Sequence, residues 1–182
     1  MEDELIERLV REAKALSAET ETAREAMMLA ARRRQEAILA LKAAGLSVRG
    51  IAARLGTSPS VIQTSLATAI ARHPATARRE ERFPYELHVL LAAKFHEQPE
   101  RLRSIARSNI QKMRETPRAA IAEGWLNRWE EILELSVDEI EQEMLKDTDE
   151  GRDMRQISPF AGALDKAERM VAMKKAQLLA AR

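Results

Sequence analysis

The chain has 182 residues, enough for one compact domain or two small ones. Apolar residues make up 45% and charged residues 32%, so the sequence can bury a core and is neither disordered nor fibrous. With 30 Lys and Arg against 29 Asp and Glu, the net charge of +1 does not by itself indicate a nucleic-acid partner. The absence of Cys excludes disulfides, thiolate metal sites and cysteine nucleophiles.

Composition also bears on fold class and location. Aromatic residues make up only 3%, and Gly and Pro number six each, which favours helices over sheets. We therefore predict an all-α fold. The N-terminus has no basic leader, and apolar runs such as residues 89–93 are too short to span a bilayer. These features predict a cytoplasmic protein with no membrane partner.

The first predicted element is a long helix over residues 4–44, in which apolar side chains recur every three or four positions. The alternative is that this helix is interrupted near residues 17–22. The helix is a candidate interface for a homodimer, and the alternative is that it braces the domain that follows. Residues 1–23 carry three basic and seven acidic side chains, whereas residues 24–79 carry ten basic and two acidic ones.

The most specific local pattern lies within residues 43–66. Gly45 is suited to end the first helix, Ser47 to cap a short second helix and Gly56 to form a turn with positive φ. Ser58 then fits the cap of a third helix that begins with a proline. The inward-facing apolar positions that complete the pattern are Ile51, Ala52, Leu55, Ile62 and Leu66.

These 24 residues resemble the helix-turn-helix superfamily of DNA-binding domains, although Thr57 and Ser65 are more polar than is usual in it. The resemblance implies that the last helix enters the major groove. It assigns base contacts to Ser58, Ser60, Gln63 and Thr64. Gln63 is the best of these, because a side-chain amide can bond adenine twice. Phosphate contacts are assigned to Arg32, Arg33, Arg34, Arg49, Arg54 and Arg72. The alternative is a helical hairpin that binds protein.

Two prolines bracket a charged stretch that predicts a linker over residues 75–84. On this division, residues 1–74 form a domain with the long helix and the helix-turn-helix, and residues 85–182 form a helical bundle that binds a partner. Helix starts within the bundle are expected from proline and capping-box patterns at Pro99, Thr116–Pro117, Ser136 and Asp165.

The second half shows no catalytic grouping. His73, His88 and His96 have no metal-binding spacing, and neither an HExxH motif nor an Asp/His/Ser set occurs. We predict no enzymatic activity, no metal site and no cofactor. Ten acidic residues within 130–150 predict a solvated face that meets a partner. Asn109 interrupts an apolar stripe, so it is expected either to bond a neighbouring turn or to flank the stripe.

The most unusual segment of the second half is Arg155-Gln-Ile-Ser-Pro-Phe-Ala-Gly162. Together with residues 105–110 and 125–129, it resembles the C-terminal region of antitoxin-like proteins from bacterial toxin–antitoxin loci. The resemblance implies a cognate toxin as partner, bound through an anchor formed by Arg155, Gln156, Ser158, Pro159 and Phe160. The alternative for Phe160 is core packing of the last helix.

The two resemblances together imply a DNA-binding antitoxin that represses its own operon and neutralises a toxin by protein contact. The basic first half then meets double-stranded DNA, and the acidic region covers the toxin. The alternative is a stand-alone helix-turn-helix transcriptional regulator whose C-terminal module dimerises or senses a ligand.

Overall fold

The computed structural model describes residues 2–73, 79–115 and 120–180. Within these ranges the chain forms nine α-helices and no strand, which confirms the all-α prediction. The helices are α1 (Glu2–Ala43), α2 (Val48–Leu55), α3 (Pro59–Arg72), α4 (Arg79–Glu97), α5 (Pro99–Arg114), α6 (Ala120–Leu133), α7 (Val137–Met144), α8 (Asp149–Gln156) and α9 (Lys166–Ala180). None of the described helices is long and apolar enough to cross a membrane.

Helix α1 is continuous over 42 residues, without the break considered near residues 17–22. Three hydroxyls in and beside that stretch, those of Ser17, Thr20 and Thr22, donate to carbonyls one turn earlier. They are therefore satisfied without ending the helix. Residues 2–28 are exposed on every side, and only the last third of α1 packs against the rest of the chain. The bracing role predicted for the helix thus applies to that last third.

The first core lies where the end of α1 meets α2 and α3. Its buried members from these helices are Ile38, Leu39, Ile51, Ala52, Ile62, Leu66 and Ala69. One further member, Leu179, comes from α9. We call the end of α1 together with α2 and α3 the N-terminal unit. Its core is therefore completed by a side chain more than a hundred positions further along the sequence.

The second core lies among α4 to α8 and the segment that leads into α9. At its centre the ring of Phe160 packs edge-on against Trp129, at 5.3 Å between ring centroids, and against Phe95, at 5.6 Å. Edge-to-face pairs of this kind add roughly 0.5 to 1.5 kcal/mol each to what burial of the rings contributes. The aromatic content is low, but most of it is concentrated here.

The predicted linker differs from the structure. Helix α4 begins at Arg79 and passes through Pro84, so residues 79–84 are helical. Proline lacks an amide and removes one helical hydrogen bond, but the helix that continues through it buries Tyr85, Leu91 and Phe95. The remainder of the predicted linker, residues 75–78, lies outside the described residues.

Helix α9 packs against both halves of the chain. It contacts α4 along its length and also reaches α1. The last helix of the predicted 85–182 domain is therefore also part of the packing of the N-terminal unit.

Three of the four predicted helix starts are confirmed. Pro99 opens α5, and Ser136 and Glu139 form a capping box at α7. Before α9, Asp165 and Glu168 exchange two backbone-to-carboxylate bonds of 2.7 and 2.8 Å. The start expected at Thr116–Pro117 lies outside the described residues.

Candidate nucleic-acid interface

The turn between α2 and α3 has the geometry predicted from the sequence. Ser47 caps α2 by accepting from the amide of Gly50 at 3.0 Å. Gly56 ends α2 with φ of 60°, a conformation in which a side chain would be strained. Ser58 caps α3, with Pro59 at its first position. We call residues 48–72 the α2–α3 unit.

The two helices of this unit pack through small and branched side chains. Ile51 and Ile62 are fully buried, and Ala52 allows a close crossing because it lacks bulk. Ser65 is buried with them at 6% exposure. Leu55 was predicted to face inward, but it is 45% exposed because it is the last residue of α2 and lies outside this contact.

The outer face of α3 carries the predicted base-reading residues. Ser60, Gln63 and Thr64 are exposed. Gln63 and Thr64 lie three and four positions after Ser60, so all three share one side of the helix. Gln63 makes no side-chain hydrogen bond to any described residue, which leaves its amide free. The hydroxyl of Ser58 is also exposed, but it serves as the α3 cap and lies 2.8 Å from the hydroxyl of Ser60.

The six predicted phosphate-binding arginines fall into two groups. Arg34, Arg49 and Arg54 are exposed, and none of them forms an ion pair within the described chain. Arg54 donates to the carbonyl of Gly50 in its own helix at 3.2 Å. The other three arginines make bonds to other helices. The bonds run from Arg32 to Glu141 at 3.0 Å, from Arg33 to the carbonyl of Ala93 at 3.1 Å, and from Arg72 to Gln35 at 2.5 Å.

The electrostatics around the α2–α3 unit are one-sided. Residues 37–79 include Lys42 and five arginines but no Asp or Glu. A surface with one sign of charge attracts a polyanion over distances of about a Debye length. The exposed polar face of α3 therefore lies in a positively charged part of the chain.

A buried charge cluster lies behind this unit, where α1, α4 and α9 meet the end of α3. The ammonium of Lys175 is 1% exposed, 2.7 Å from Glu36 and 3.2 Å from Glu86. His73, which caps the end of α3, places one ring nitrogen 2.9 Å from Glu86 and the other 3.2 Å from Glu36. Ionised carboxylates only accept hydrogen bonds, so both ring nitrogens of His73 donate and the ring is cationic.

The proton affinities in the cluster follow from this pairing. Burial opposes the charge of Glu36, but the hydrogen bond from His73 and the charge of Lys175 outweigh it and lower the pKa of Glu36 to about 2. Burial also opposes the charge of His73, yet its bonds to Glu36 and Glu86 raise its pKa above 6.5. The cluster thus joins four helices through charges of both signs.

The predicted partner anchor is partly occupied by the fold itself. Arg155 is 5% exposed and donates to the carbonyls of Met144 at 3.1 Å and Lys146 at 2.8 Å. Phe160 is also 5% exposed, within the aromatic core described above. In the isolated chain both side chains are therefore engaged by the fold, and Phe160 lies in the core, in line with the alternative given for it. Pro159 is buried as well.

The loop that contains Pro159 is held by Asn109. Its side-chain amide donates to the carbonyl of Pro159 at 2.8 Å and to that of Ala161 at 2.9 Å. The first of the two roles predicted for Asn109 is thus confirmed. Beside the loop is a cavity of about 350 Å³, with Gln156 and Ser158 in its lining. Gln156 and Ser158 both belong to the predicted anchor, and neither side chain makes a hydrogen bond to a described residue.

His88 also lines this cavity. It is 2% exposed and stacks on Trp129 at 5.9 Å between ring centroids. Its Nδ1 donates to the carbonyl of Pro84 at 2.7 Å. Burial lowers the pKa of His88 to about 4, despite this bond, and the ring is therefore neutral at pH 7.

Most of the acidic side chains of residues 130–150 have arginine or lysine partners within the chain. Glu130 pairs with Arg114 at 2.7 Å, and Glu143 pairs with Lys146 and Arg128. Other pairs join Glu131 to Arg128, Glu134 to Arg107, Glu141 to Arg32, and Asp147 and Asp149 to Arg152. The predicted acidic face is therefore largely neutralised by its own neighbours.

The described residues contain no group of three or more His, Asp or Glu side chains arranged to hold a metal ion. Comparison of the chain with protein-family models, curated proteins and solved structures gives no match.

Proposed function

We propose that this protein is a helix-turn-helix transcriptional regulator that binds double-stranded DNA with α3 in the major groove. The observation that carries the proposal is the exposed polar row of Ser60, Gln63 and Thr64 on α3. An α-helix fits the major groove, where base pairs present distinct patterns of donors and acceptors. The free amide of Gln63 suits a bidentate contact with adenine.

The charges around α3 support the same function. Arg49 and Arg54 on α2 and Arg34 on α1 are exposed, and no carboxylate of residues 37–79 opposes them. Phosphate contacts of this kind position a protein on the duplex and supply affinity that depends on salt. Arg32, Arg33 and Arg72 are weaker candidates, since each would first have to leave a partner on another helix.

Replacing Gln63 with alanine is expected to weaken binding to the preferred DNA site by about 1 to 3 kcal/mol and to relax preference at one base pair. The site is obtained by selection from a random duplex library with the wild-type protein. Gln177→Ala, which truncates an exposed glutamine on α9, is the matched control and should bind normally. Unchanged affinity and preference in Gln63→Ala would show that α3 does not read bases in this way.

Replacing Arg54 with alanine should act differently. It removes a phosphate contact, so it should weaken binding to all sequences alike and reduce the salt dependence by about one counterion. Titrations at several salt concentrations separate this effect from that of Gln63. A loss confined to one DNA sequence would contradict a phosphate role for Arg54.

Toxin neutralisation is a second candidate function, with repression of a shared operon as its DNA-binding side. In its favour, Gln156 and Ser158 line a cavity with their polar groups free. Against it, Arg155 and Phe160 are used by the core and the acidic side chains are largely paired internally. Co-expression with the product of a neighbouring gene tests it: a complex lost on Gln156→Ala with Ser158→Ala supports the role, and no complex supports the stand-alone regulator.

A further inference from the structure

The first two thirds of α1 form a stripe of apolar side chains that nothing in the described chain covers. Its largest members are Leu5, Ile6, Leu9, Val10, Leu16 and Met27, each 46 to 64% exposed. Residues 2–28 extend for about 40 Å at 1.5 Å per residue. A solvated helix does not need apolar side chains on one side, so the stripe points to a contact surface.

The stripe repeats with a period of seven. Ile6, Ala13, Thr20 and Met27 occupy one core position of the heptad, and Leu9, Leu16, Ala23 and Ala30 occupy the other. Leu5 and Val10 flank this seam at its N-terminal end. A sustained period of 3.5 residues is the pattern that keeps one face of a helix against a partner helix through a left-handed supercoil.

We infer that two copies of this chain pair through residues 5–30 of α1 as a parallel, two-stranded coiled coil. Ile6 is at the a position and Leu9 and Leu16 are at d positions, a combination that favours two parallel strands. Alanines at three of the other five core positions, Ala13, Ala23 and Ala30, let the two backbones approach closely. Thr20 is tolerated in the seam because its hydroxyl already donates to the carbonyl of Leu16 at 2.8 Å.

The charged side chains beside the apolar seam of α1 complement those of a second copy of the chain. They do so when the two helices run parallel. Glu19 is at a g position and Arg24 at the e position five residues later, so each Glu19 faces the partner's Arg24 in a parallel pair. Arg24 also pairs with Glu21 of its own helix at 3.1 Å, so in the dimer it would lie between two carboxylates. In an antiparallel pair that keeps the same apolar layers, Glu19 would face the partner's Glu19 instead. The helix therefore carries matching flanking charges for its own parallel copy.

The surrounding structure leaves the seam accessible. The next two positions of the heptad along the body of the molecule are Arg34 and Ala37, and both are exposed. A partner helix can thus approach α1 without displacing α3 or α4. The inference goes beyond the proposed DNA binding and does not depend on it.

The first test replaces both seam leucines by glutamate, Leu9→Glu with Leu16→Glu, in the full chain. The dissociation constant of the dimer should rise by about a hundredfold or more, because four carboxylates would be brought into an apolar seam. Ala15→Glu with Ala18→Glu is the matched control, since it adds the same charge to α1 away from the seam. Analytical ultracentrifugation without DNA gives the dissociation constants, and circular dichroism checks that the fold is retained.

The second test addresses orientation. Glu19→Arg alone and Arg24→Glu alone should each weaken the dimer, because like charges then meet across the seam. An equimolar mixture of the two variants should restore it, since both facing pairs become attractive again. Failure of the mixture to form a heterodimer would overturn the parallel arrangement.

A wild-type chain that remains monomeric at high concentration would overturn the whole inference. The inference would also be overturned if Leu9→Glu with Leu16→Glu formed a dimer with the same dissociation constant as the control, Ala15→Glu with Ala18→Glu. Because these measurements contain no DNA, either result leaves the proposed DNA binding to be judged by the Gln63 and Arg54 variants alone.

Discussion

Replacing Lys175 with methionine is expected to lower the free energy of unfolding by about 3 to 5 kcal/mol. Methionine fills a similar volume without a charge, so Glu36 and Glu86 would stay buried with His73 as the cation they share. Each would keep one arginine neighbour, Arg72 at 3.5 Å from Glu36 and Arg82 at 3.9 Å from Glu86. Because the ammonium is only 1% exposed, water does not replace it readily. Urea denaturation at pH 7, followed by circular dichroism, measures the change.

Two further variants make this experiment specific. Lys174→Met removes a half-buried neighbour that has no ion pair with the described residues, and it should cost less than about 1 kcal/mol. Lys175→Met combined with Glu86→Gln should recover much of the loss, since one charge of each sign is then absent. Equal stability of Lys175→Met and Lys174→Met would contradict the role given to the cluster.

The second large effect is a dependence of stability on pH. The free energy of unfolding is expected to be highest near pH 6.5. The pKa of His88 is about 4 in the folded chain against 6.5 ordinarily, so its neutral form stabilises the fold above pH 6.5. That stabilisation is lost as the pH falls from 6.5 to 4, by about 3 kcal/mol from the difference in pKa. His88→Phe should flatten this part of the profile.

Two shifted groups of the buried charge cluster act at other pH values. The pKa of Glu36 is about 2 against 4.5, so its contribution is present above pH 4.5 and is lost as the pH falls toward 2. The raised pKa of His73 acts in the opposite direction, since its contribution is complete below pH 6.5 and is lost as the pH rises through the folded value. Denaturation from pH 3 to 9 measures both, and a loss of stability between pH 4 and pH 3 that is as steep in Glu36→Gln as in the wild type would contradict the first.

The α2–α3 unit could be predicted almost completely from the sequence because its signals are local. Ser47, Gly56 and Ser58 act within three or four residues of their own positions, where caps and positive φ leave a direct mark on residue type. The same holds for the capping box at Ser136. Leu55 was misassigned because whether a terminal residue of a helix is covered depends on tertiary packing.

The buried charge cluster could not be predicted, because Glu36 and Lys175 are separated by 139 positions and have no local pattern in common. One signal was present. Lys175 lies between Ala172 and Leu179, three and four positions away, on the buried stripe of α9. A charged residue within such a stripe indicates a buried partner of opposite sign.

The packing of α9 has a consequence for how the protein matures. Leu179 completes the core behind α3, and Lys175 supplies the charge that joins α1 and α4. During synthesis, the N-terminal unit therefore lacks part of its interior until residue 179 has left the ribosome. A nascent chain, or one cleaved before α9 by a protease, should therefore hold α3 and its exposed polar face less firmly than the chain that includes α9.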